Sequence, residues 1–219
     1  MKIDMHNHTN ASSDSISSVE ELIKWAKEKK IDAIAITDHN TIKNNKKAEE
    51  IGKKFDVTII PGEEITTADG DLIALYLTEE IKPYMSFEET LDEIKSQGAL
   101  AYAPHPFDNK RKSLRKEEFL KKCHIIEVHN AKATEEDDLK AFEFSKAYNM
   151  LKGCGSDSHS PYEVGRAYLE IENADISTPE RFLKSIRNAN YVIEKRTSLF
   201  EKVVRKAKIS IDKIFKNKF

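Results

Sequence analysis

The chain of 219 residues has no apolar run near the roughly 20 residues a membrane span needs. Its opening residues, MKIDMHNHT, turn polar at once, so no signal-peptide apolar core is expected. Cysteine is scarce. Cys123 and Cys154 are the only two, which excludes a disulfide framework and points to a reducing cytoplasm. Charge of one sign is also lacking: 36 Lys+Arg stand against 38 Asp+Glu, a formal net charge of -2. That balance argues against a purely electrostatic nucleic-acid binder and against an acidic disordered tail. No repeat, low-complexity tract or Pro/Gly-rich linker interrupts the sequence. Hydrophobic residues make up 39%, enough for a packed core, and the length suits one domain over residues 1–219.

What the chain does have is alternation. Short apolar runs at 1–5, 31–37, 56–60, 71–78, 99–103, 125–128, 151–153 and 167–171 read as strands, the run 31–37 being β-branched. Between them, segments at 17–30, 41–54, 87–97, 116–122, 135–148 and 179–189 read as helices. Ser18 followed by Glu21 forms a capping-box pattern, and Gly98 is a helix stop. Pro61-Gly62 is expected to close the third strand. Strand–helix alternation predicts an α/β fold with a largely parallel sheet, and seven or eight strands suit a barrel. At the C-terminus, 197–219 is expected to be an amphipathic helix. Phe200, Val203, Val204, Ala207, Ile211, Ile214 and Phe215 share one face, which favours docking on the barrel.

Seven histidines are present, and six fall at or just past the end of an expected strand. In parallel α/β folds, the carboxyl ends of strands converge on the active site. His6 and His8 are two apart in an extended segment, so both rings point the same way. Asp38-His39 ends the run IDAIAIT. Glu63-Glu64 follows DVTII, and alternation with Ile65 turns Glu64 inward. His105 lies between two prolines in APHPF. Asp157 and His159, in GSDSH, repeat the spacing of the first pair. Each feature alone has an ordinary reading as packing or a turn, and Asp14 in ASSDS is most simply a turn residue. Together they form a set of imidazoles and carboxylates suited to zinc, manganese or iron. Bridging carboxylates would allow ions about 3.5–4 Å apart, as in two-metal phosphate chemistry.

The ordered series HNH, TDH, PGEEI, APHP and GSDSH resembles the PHP (polymerase and histidinol phosphatase) superfamily of metal-dependent phosphoesterases. The resemblance implies a single-domain distorted (β/α)7 TIM-like barrel holding two to three divalent ions, Mn2+, Zn2+ or Fe2+. It implies that His6, His8 and Asp157 serve a first metal, and that Glu64 bridges it to a second held by His105. Asp14, His39 and His159 would serve a third. Glu64, Asp157 and His39 are the positions expected to carry catalysis. One departure concerns a further histidine that many members carry on the next strand. The aligned position is read as Ile73, so the second ion is expected to bind weakly unless a residue such as Asp71 replaces the imidazole.

Such ions activate water for in-line attack on phosphorus, so no Ser or Cys nucleophile is needed. Arg111, Arg166 and His129 are the expected substrate-binding residues, whereas His124 and Cys154 read as structural. Asp4 and Asp38 are candidates to orient imidazoles. The expected activity is hydrolysis of a phosphomonoester, a nucleotide or similar small phosphorylated metabolite, by a cytoplasmic enzyme with no membrane partner. The alternatives are a histidinol-phosphate phosphatase and a nuclease or nucleic-acid-binding protein acting on nucleic-acid ends. The last draws on the tail, where 195–219 holds nine Lys/Arg and two acidic residues.

Overall fold

A computed structural model describes residues 1–216, with side chains through residue 210. The strands are β1 (Lys2–Asp4), β2 (Ala33–Ile36), β3 (Thr58–Thr66), β4 (Asp71–Leu75), β5 (Leu100–Ala103), β6 (Ile125–Asn130), β7 (Leu151–Gly155), β8 (Ala167–Glu170) and β9 (Asn190–Ile193). The helices are α1 (Val19–Glu28), α2 (Asn45–Phe55), α3 (Phe87–Ser96), α4 (Glu117–Leu120), α5 (Glu135–Ala147), α6 (Pro179–Ser185) and α7 (Leu199–Lys216).

All nine strands form one sheet in the order β7-β6-β5-β4-β3-β2-β1-β8-β9. The sheet curls into a nearly closed barrel. Past the end of β1, the Met5 amide donates to the Cys154 carbonyl of β7 at 3.1 Å, and His8 donates to Ser158 at 2.9 Å. The mixed α/β barrel is the expected class, but the sheet is less parallel than the alternation suggests. Parallel ladders join β1 to β2 to β3 and β5 to β6 to β7. Antiparallel ladders join β3 to β4 to β5 and β1 to β8 to β9. Strand β9 carried no signal, because NYVI is a short, partly exposed edge.

The run IDAIAIT shows how the sequence makes the barrel. Ala33 and Ala35 of β2 point into the barrel with Ile3, Met5, Tyr102 and Cys154. Ile34 and Ile36 point out against Leu22, Ile23 and Ala26 of α1. Both faces are buried, which is why the run is apolar throughout rather than alternating. Helix α1 starts where predicted, with a Ser18–Glu21 capping box. It buries Leu22 and Ile23 completely, worth about 1.5–3 kcal/mol each. Leu22→Ala would cost about 2–5 kcal/mol.

Pro61-Gly62 does not close its strand. Strand β3 runs through it for nine residues. Residues 58–61 pair parallel with β2, and 62–66 pair antiparallel with β4. Gly62 is needed for the crowding, not for a turn: a Cβ there would lie 2.6 Å from the Ala74 carbonyl oxygen. The continuation carries Glu64 from the barrel wall to its mouth.

Helix α7 also departs from expectation. Its apolar stripe is not docked: Phe200 is 76% exposed and Val203 57%. Polar ties orient the helix instead. Glu201 pairs with Arg166 at 2.8 Å, and Arg205 pairs with buried Glu163 at 3.3 Å. The side chains of Ile211, Ile214 and Phe215, and all of residues 217–219, lie outside the described residues. No helix among the described residues is long and apolar enough to cross a membrane.

Candidate metal centre

Five imidazoles converge at one end of the barrel. The ring of His8 lies 5.1 Å from His6, 4.4 Å from His39 and 4.2 Å from His159, centroid to centroid, and His105 is 5.9 Å from His6. Each sits at or beyond a strand end. The backbone is strained at two site residues: His105 and Asp157 both have positive φ, at 32° and 51°. Non-glycine residues adopt that region at a cost of about 1–3 kcal/mol, and such strain clusters at functional sites.

Glu64 is the hub. Its Oε2 lies 3.3 Å from His6 Nε2, 3.2 Å from His8 Nε2 and 3.2 Å from His39 Nδ1. Its Oε1 lies 3.1 Å from His105 Nε2. Burial opposes its charge, but His39 and His6 hold its carboxyl well below the usual range. Asp157 Oδ1 is 3.6 Å from His8 Nε2 and 3.9 Å from His6 Nε2. Asp14 Oδ2 is 3.0 Å from His159 Nε2 and 3.7 Å from His39 Nε2. The geometry therefore brings together all eight residues that the motifs singled out. Three groups have ligand atoms within 4.8 Å of one another: His6, His8 and Asp157; His8, His39 and His159; Glu64, Asp71 and His105.

The third group corrects the reading of Ile73. Ile73 faces Glu64 across the β3–β4 ladder, but its side chain is fully buried in the barrel core. Asp71, two residues earlier on the same face, reaches the mouth instead. Burial and then the nearby Glu64 push its carboxyl up to about 7.

The donor set suits a divalent metal. His6 Nε2 and His8 Nε2 face each other at 3.1 Å, and two ring nitrogens that close need a proton or cation between them. Asp14 Oδ1 and Asp71 Oδ1 are buried without any hydrogen-bond partner among the described residues.

Glu127 is a residue the sequence reading missed. Its Oε1 accepts from His6 Nδ1 at 3.1 Å and Tyr102 Oη at 2.8 Å. Its Oε2 accepts from the His105 amide and from Asn130 Nδ2, both at 2.8 Å. It thus fixes His6 with Nε2 aimed at His8 and Glu64. Gly155 permits this approach, because a Cβ there would lie 2.8 Å from Glu127 Oε1. A carboxylate inside the apolar run IIEV was the available signal. Asp38 plays a comparable part through Ser12, whose hydroxyl donates to Asp38 at 2.7 Å and lies 3.3 Å from His8 Nδ1. Asp4 does not orient a ring. It accepts the Ser156 and Gly165 amides, at 2.9 and 2.8 Å, and so ties β1 to the GSDSH loop.

Of the three expected substrate residues, only Arg111 lies at the site. It pairs with Asp157, and its Nε donates to Asp108 at 2.7 Å. Arg166 lies elsewhere: it is 5% exposed and committed to Glu201 and to Thr197 Oγ1 at 3.0 Å. His129 points away, its Nδ1 3.7 Å from Asp138. A bulge between Glu127 and His129 breaks the strand alternation, so Asn130 takes the inward position. Lys132, also missed, reaches Asp157 Oδ1 at 3.0 Å and His159 Nδ1 at 2.5 Å. Burial lowers its ammonium to about 8, with Asp157 opposing the fall. His124 opens β6 at the far end and accepts the Ala101 amide, a structural contact. Cys154 is buried in the barrel core.

Above the cluster lies a cavity of about 600 Å³. Its floor includes Asp14, His39, Glu64, His105, Asp157 and His159, with Arg111 and Lys132 beside Asp157.

The sequence matches the PHP domain family over residues 4–197. It is 40% identical over 200 residues to uncharacterized protein MJ0417 of Methanocaldococcus jannaschii, covering 85% of this chain and 79% of the relative. The fold is similar to PsfC from Pseudomonas syringae, with a TM-score of 0.69 at 17% identity, covering 97% of this chain and 98% of that one. It is similar to a candidate metal-dependent phosphoesterase from Bifidobacterium adolescentis, with a TM-score of 0.65 at 14% identity, covering 90% and 97%. It also resembles an amidohydrolase from Chromobacterium violaceum with bound sulfate and no metal, with a TM-score of 0.66 at 15% identity, covering 88% and 98%.

Proposed function

The chain belongs to the PHP domain family of metal-dependent hydrolases, and we propose that it hydrolyses phosphomonoesters of small metabolites. One observation carries this reading: five imidazoles and the carboxylates of Asp14, Glu64, Asp71 and Asp157 meet on the floor of a cavity, with Arg111 and Lys132 against Asp157. His6, His8 and Asp157 would hold one ion. His39, His159 and Asp14 would hold another, and Glu64, Asp71 and His105 a third. Mn2+, Zn2+ and Fe2+ all suit such ligands. Bound divalent ions supply Lewis acidity, which acidifies water and neutralises phosphoryl charge.

The chain's own residues do the rest. Glu64 touches members of every group, so it sets their spacing. Asp157 links its imidazoles to Lys132 and Arg111, the two cations best placed to grip phosphoryl oxygens. Arg111 offers the planar donor fork that suits such anions. His39, 32% exposed, lies at the outer edge of the imidazole cluster and meets substrate first. Sulfate bound to the structural neighbour from Chromobacterium violaceum is compatible with an anion site on this fold.

The test is a phosphatase screen on chelator-stripped protein, repeated after adding Mn2+, Zn2+ or Fe2+. Activity should vanish and return. Full activity in exhaustively stripped protein would sink the proposal. Asp71→Asn should weaken one ion selectively, whereas Ile73→Val should leave metal content unchanged.

A second reading, action on nucleic-acid ends, draws on Lys112, Arg115 and Lys116 beside Tyr84, which is 68% exposed. It requires oligonucleotide affinity that falls steeply with salt. Mononucleotides turning over faster than oligonucleotides would dismiss it.

A further inference from the structure

Helix α7 begins two residues beyond the span that matches the family, yet it forms one wall of the cavity. Its orientation is set by polar contacts. Ser198 and Glu201 cap its start, with the Ser198 amide donating to Glu201 at 2.8 Å and the Glu201 amide donating to Ser198 Oγ at 3.2 Å. Glu201 then reaches Arg166, and Arg205 reaches Glu163. Lys202 Nζ donates to the Lys132 carbonyl at 3.1 Å. These ties turn Lys202 and Lys206, four apart and so on one face, toward the cavity. Leu199 and Val203 line the same wall. The loop after His105 adds Lys110 and Lys112 to the lining of the same cavity.

Charge accounting separates the floor from the mouth. Arg111 and Lys132 contact Asp157 at the floor, where the scissile phosphate would sit. Arg205 is committed to Glu163. Lys110, Lys112, Lys202 and Lys206 remain at the mouth, and none of them pairs with a carboxylate among the described residues. A single phosphomonoester is already matched by the floor cations and the metal ions. Four more ammonium groups around one opening repel one another and are best accommodated by a second anion.

We propose that Lys202 and Lys206, with Lys110 and Lys112, form a second anion subsite. The substrate class is then a small molecule carrying the scissile phosphate and, at its other end, a phosphate or carboxylate, with its body against Leu199 and Val203. This inference rests on the phosphomonoester reading. The helix outside the family-matched span is thereby a specificity element.

The test measures binding without turnover. Calorimetry on metal-loaded enzyme would compare alkylphosphonates, a series of alkane-α,ω-bisphosphonates, and ω-phosphonoalkanoates, which carry a carboxylate instead. The best dianionic-ended ligand should bind at least about tenfold more tightly than its single-ended counterpart, the worth of one charge-assisted contact. Whether bisphosphonate or phosphonoalkanoate shows the gap identifies the second group. Lys202→Ala/Lys206→Ala should close the gap, and so should Lys110→Ala/Lys112→Ala in the loop after His105. The same variants should turn over para-nitrophenyl phosphate within about twofold of the parent, since the floor cations are intact. A gap that is absent in the parent, or that persists in both variants, overturns the inference. So does a preference for oligonucleotides over every small ligand. Loss of para-nitrophenyl phosphate turnover in the parent would instead count against the phosphomonoester reading, and the binding gap would still decide the subsite.

Discussion

Glu127→Gln isolates the work of a carboxylate that touches no candidate metal position directly. Glu127 accepts four donors, two on each oxygen. A glutamine can offer its oxygen to only one pair. If the amide NH2 faced the His105 amide, two N–H donors would collide, and a backbone N–H cannot reverse its polarity. If it faced Tyr102 and His6, the phenol could rotate and the imidazole could change tautomer. The second arrangement costs less, so it should prevail. It moves the proton of His6 to Nε2, the atom that lies 3.1 Å from His8 Nε2 and 3.3 Å from Glu64. Charge-assisted bonds would become neutral ones, lowering stability by about 1–3 kcal/mol. Metal affinity should fall about 10–100-fold, the usual effect of removing a partner that orients a ligand histidine. The assay pairs thermal unfolding of stripped protein with Mn2+ or Zn2+ titration by calorimetry. A fall in stability with unchanged metal affinity would refute the reasoning and make Glu127 a purely structural carboxylate.

Metal affinity should rise with pH up to about 9. Burial lowers the His39 pKa, but Glu64 and Asp14 raise it further, to about 9, and a metal requires the neutral ring; titrations in buffers of different ionisation enthalpy should therefore record proton release. Glu63 is buried with one donor, the Ile81 amide at 3.0 Å, and burial pushes its carboxyl from 4.5 to about 7. The folded state thus favours the protonated form, so stability from this group falls as pH rises from 4.5 to about 7, by about 3 kcal/mol. Glu63→Gln should flatten that slope in denaturant unfolding at several pH values while leaving metal content intact; a greater loss of metal than Glu64→Gln causes would reverse the inward and outward assignments. Arg166→Met should destabilise by about 1–3 kcal/mol, because half-buried Glu201 keeps Lys195 and loses only its bonds to Arg166, with KM for para-nitrophenyl phosphate unchanged. His129→Ala should leave kcat within about twofold, and a large kcat loss would place that ring in the cavity after all.

The site was legible where a short spacing alone fixes geometry. His6 and His8 share a face because an extended backbone repeats every two residues. Asp157 and His159 also reach the site, but by a left-handed turn at Asp157 rather than by strand alternation. Glu64 was separable from Glu63 by strand alternation, and Glu63 is buried on the far side of β3. Legibility ended where the backbone departs from the regular period. The bulge after Glu127 exchanges His129 for Asn130, a one-residue error that no composition reveals. On β4 the choice between Ile73 and Asp71 depends on how far the strand projects past the barrel rim. Both residues lie on one face, and only register against β3 and β5 tells which is core and which is mouth.

Arg111 and Arg166 show a second limit. Each follows a motif closely, and each reads equally well as a phosphate ligand. What separates them is partner geometry supplied by distant parts of the chain. Arg111 meets Asp157, 46 residues away, at the cavity floor. Arg166 meets Glu201 of α7, 35 residues on, and is spent on holding that helix. The same contact explains why the apolar stripe of α7 misled. An amphipathic pattern predicts which face a helix would bury if hydrophobic contact set its roll. Here the ion pairs of Glu201 with buried Arg166 and of Arg205 with buried Glu163 set the roll first, since leaving Arg166 or Glu163 unpaired costs more than an exposed Phe200 or Val204. The helix therefore brings Lys202 and Lys206 to the cavity together with Leu199 and Val203, and leaves Phe200 and Val204 exposed, which periodicity alone does not imply.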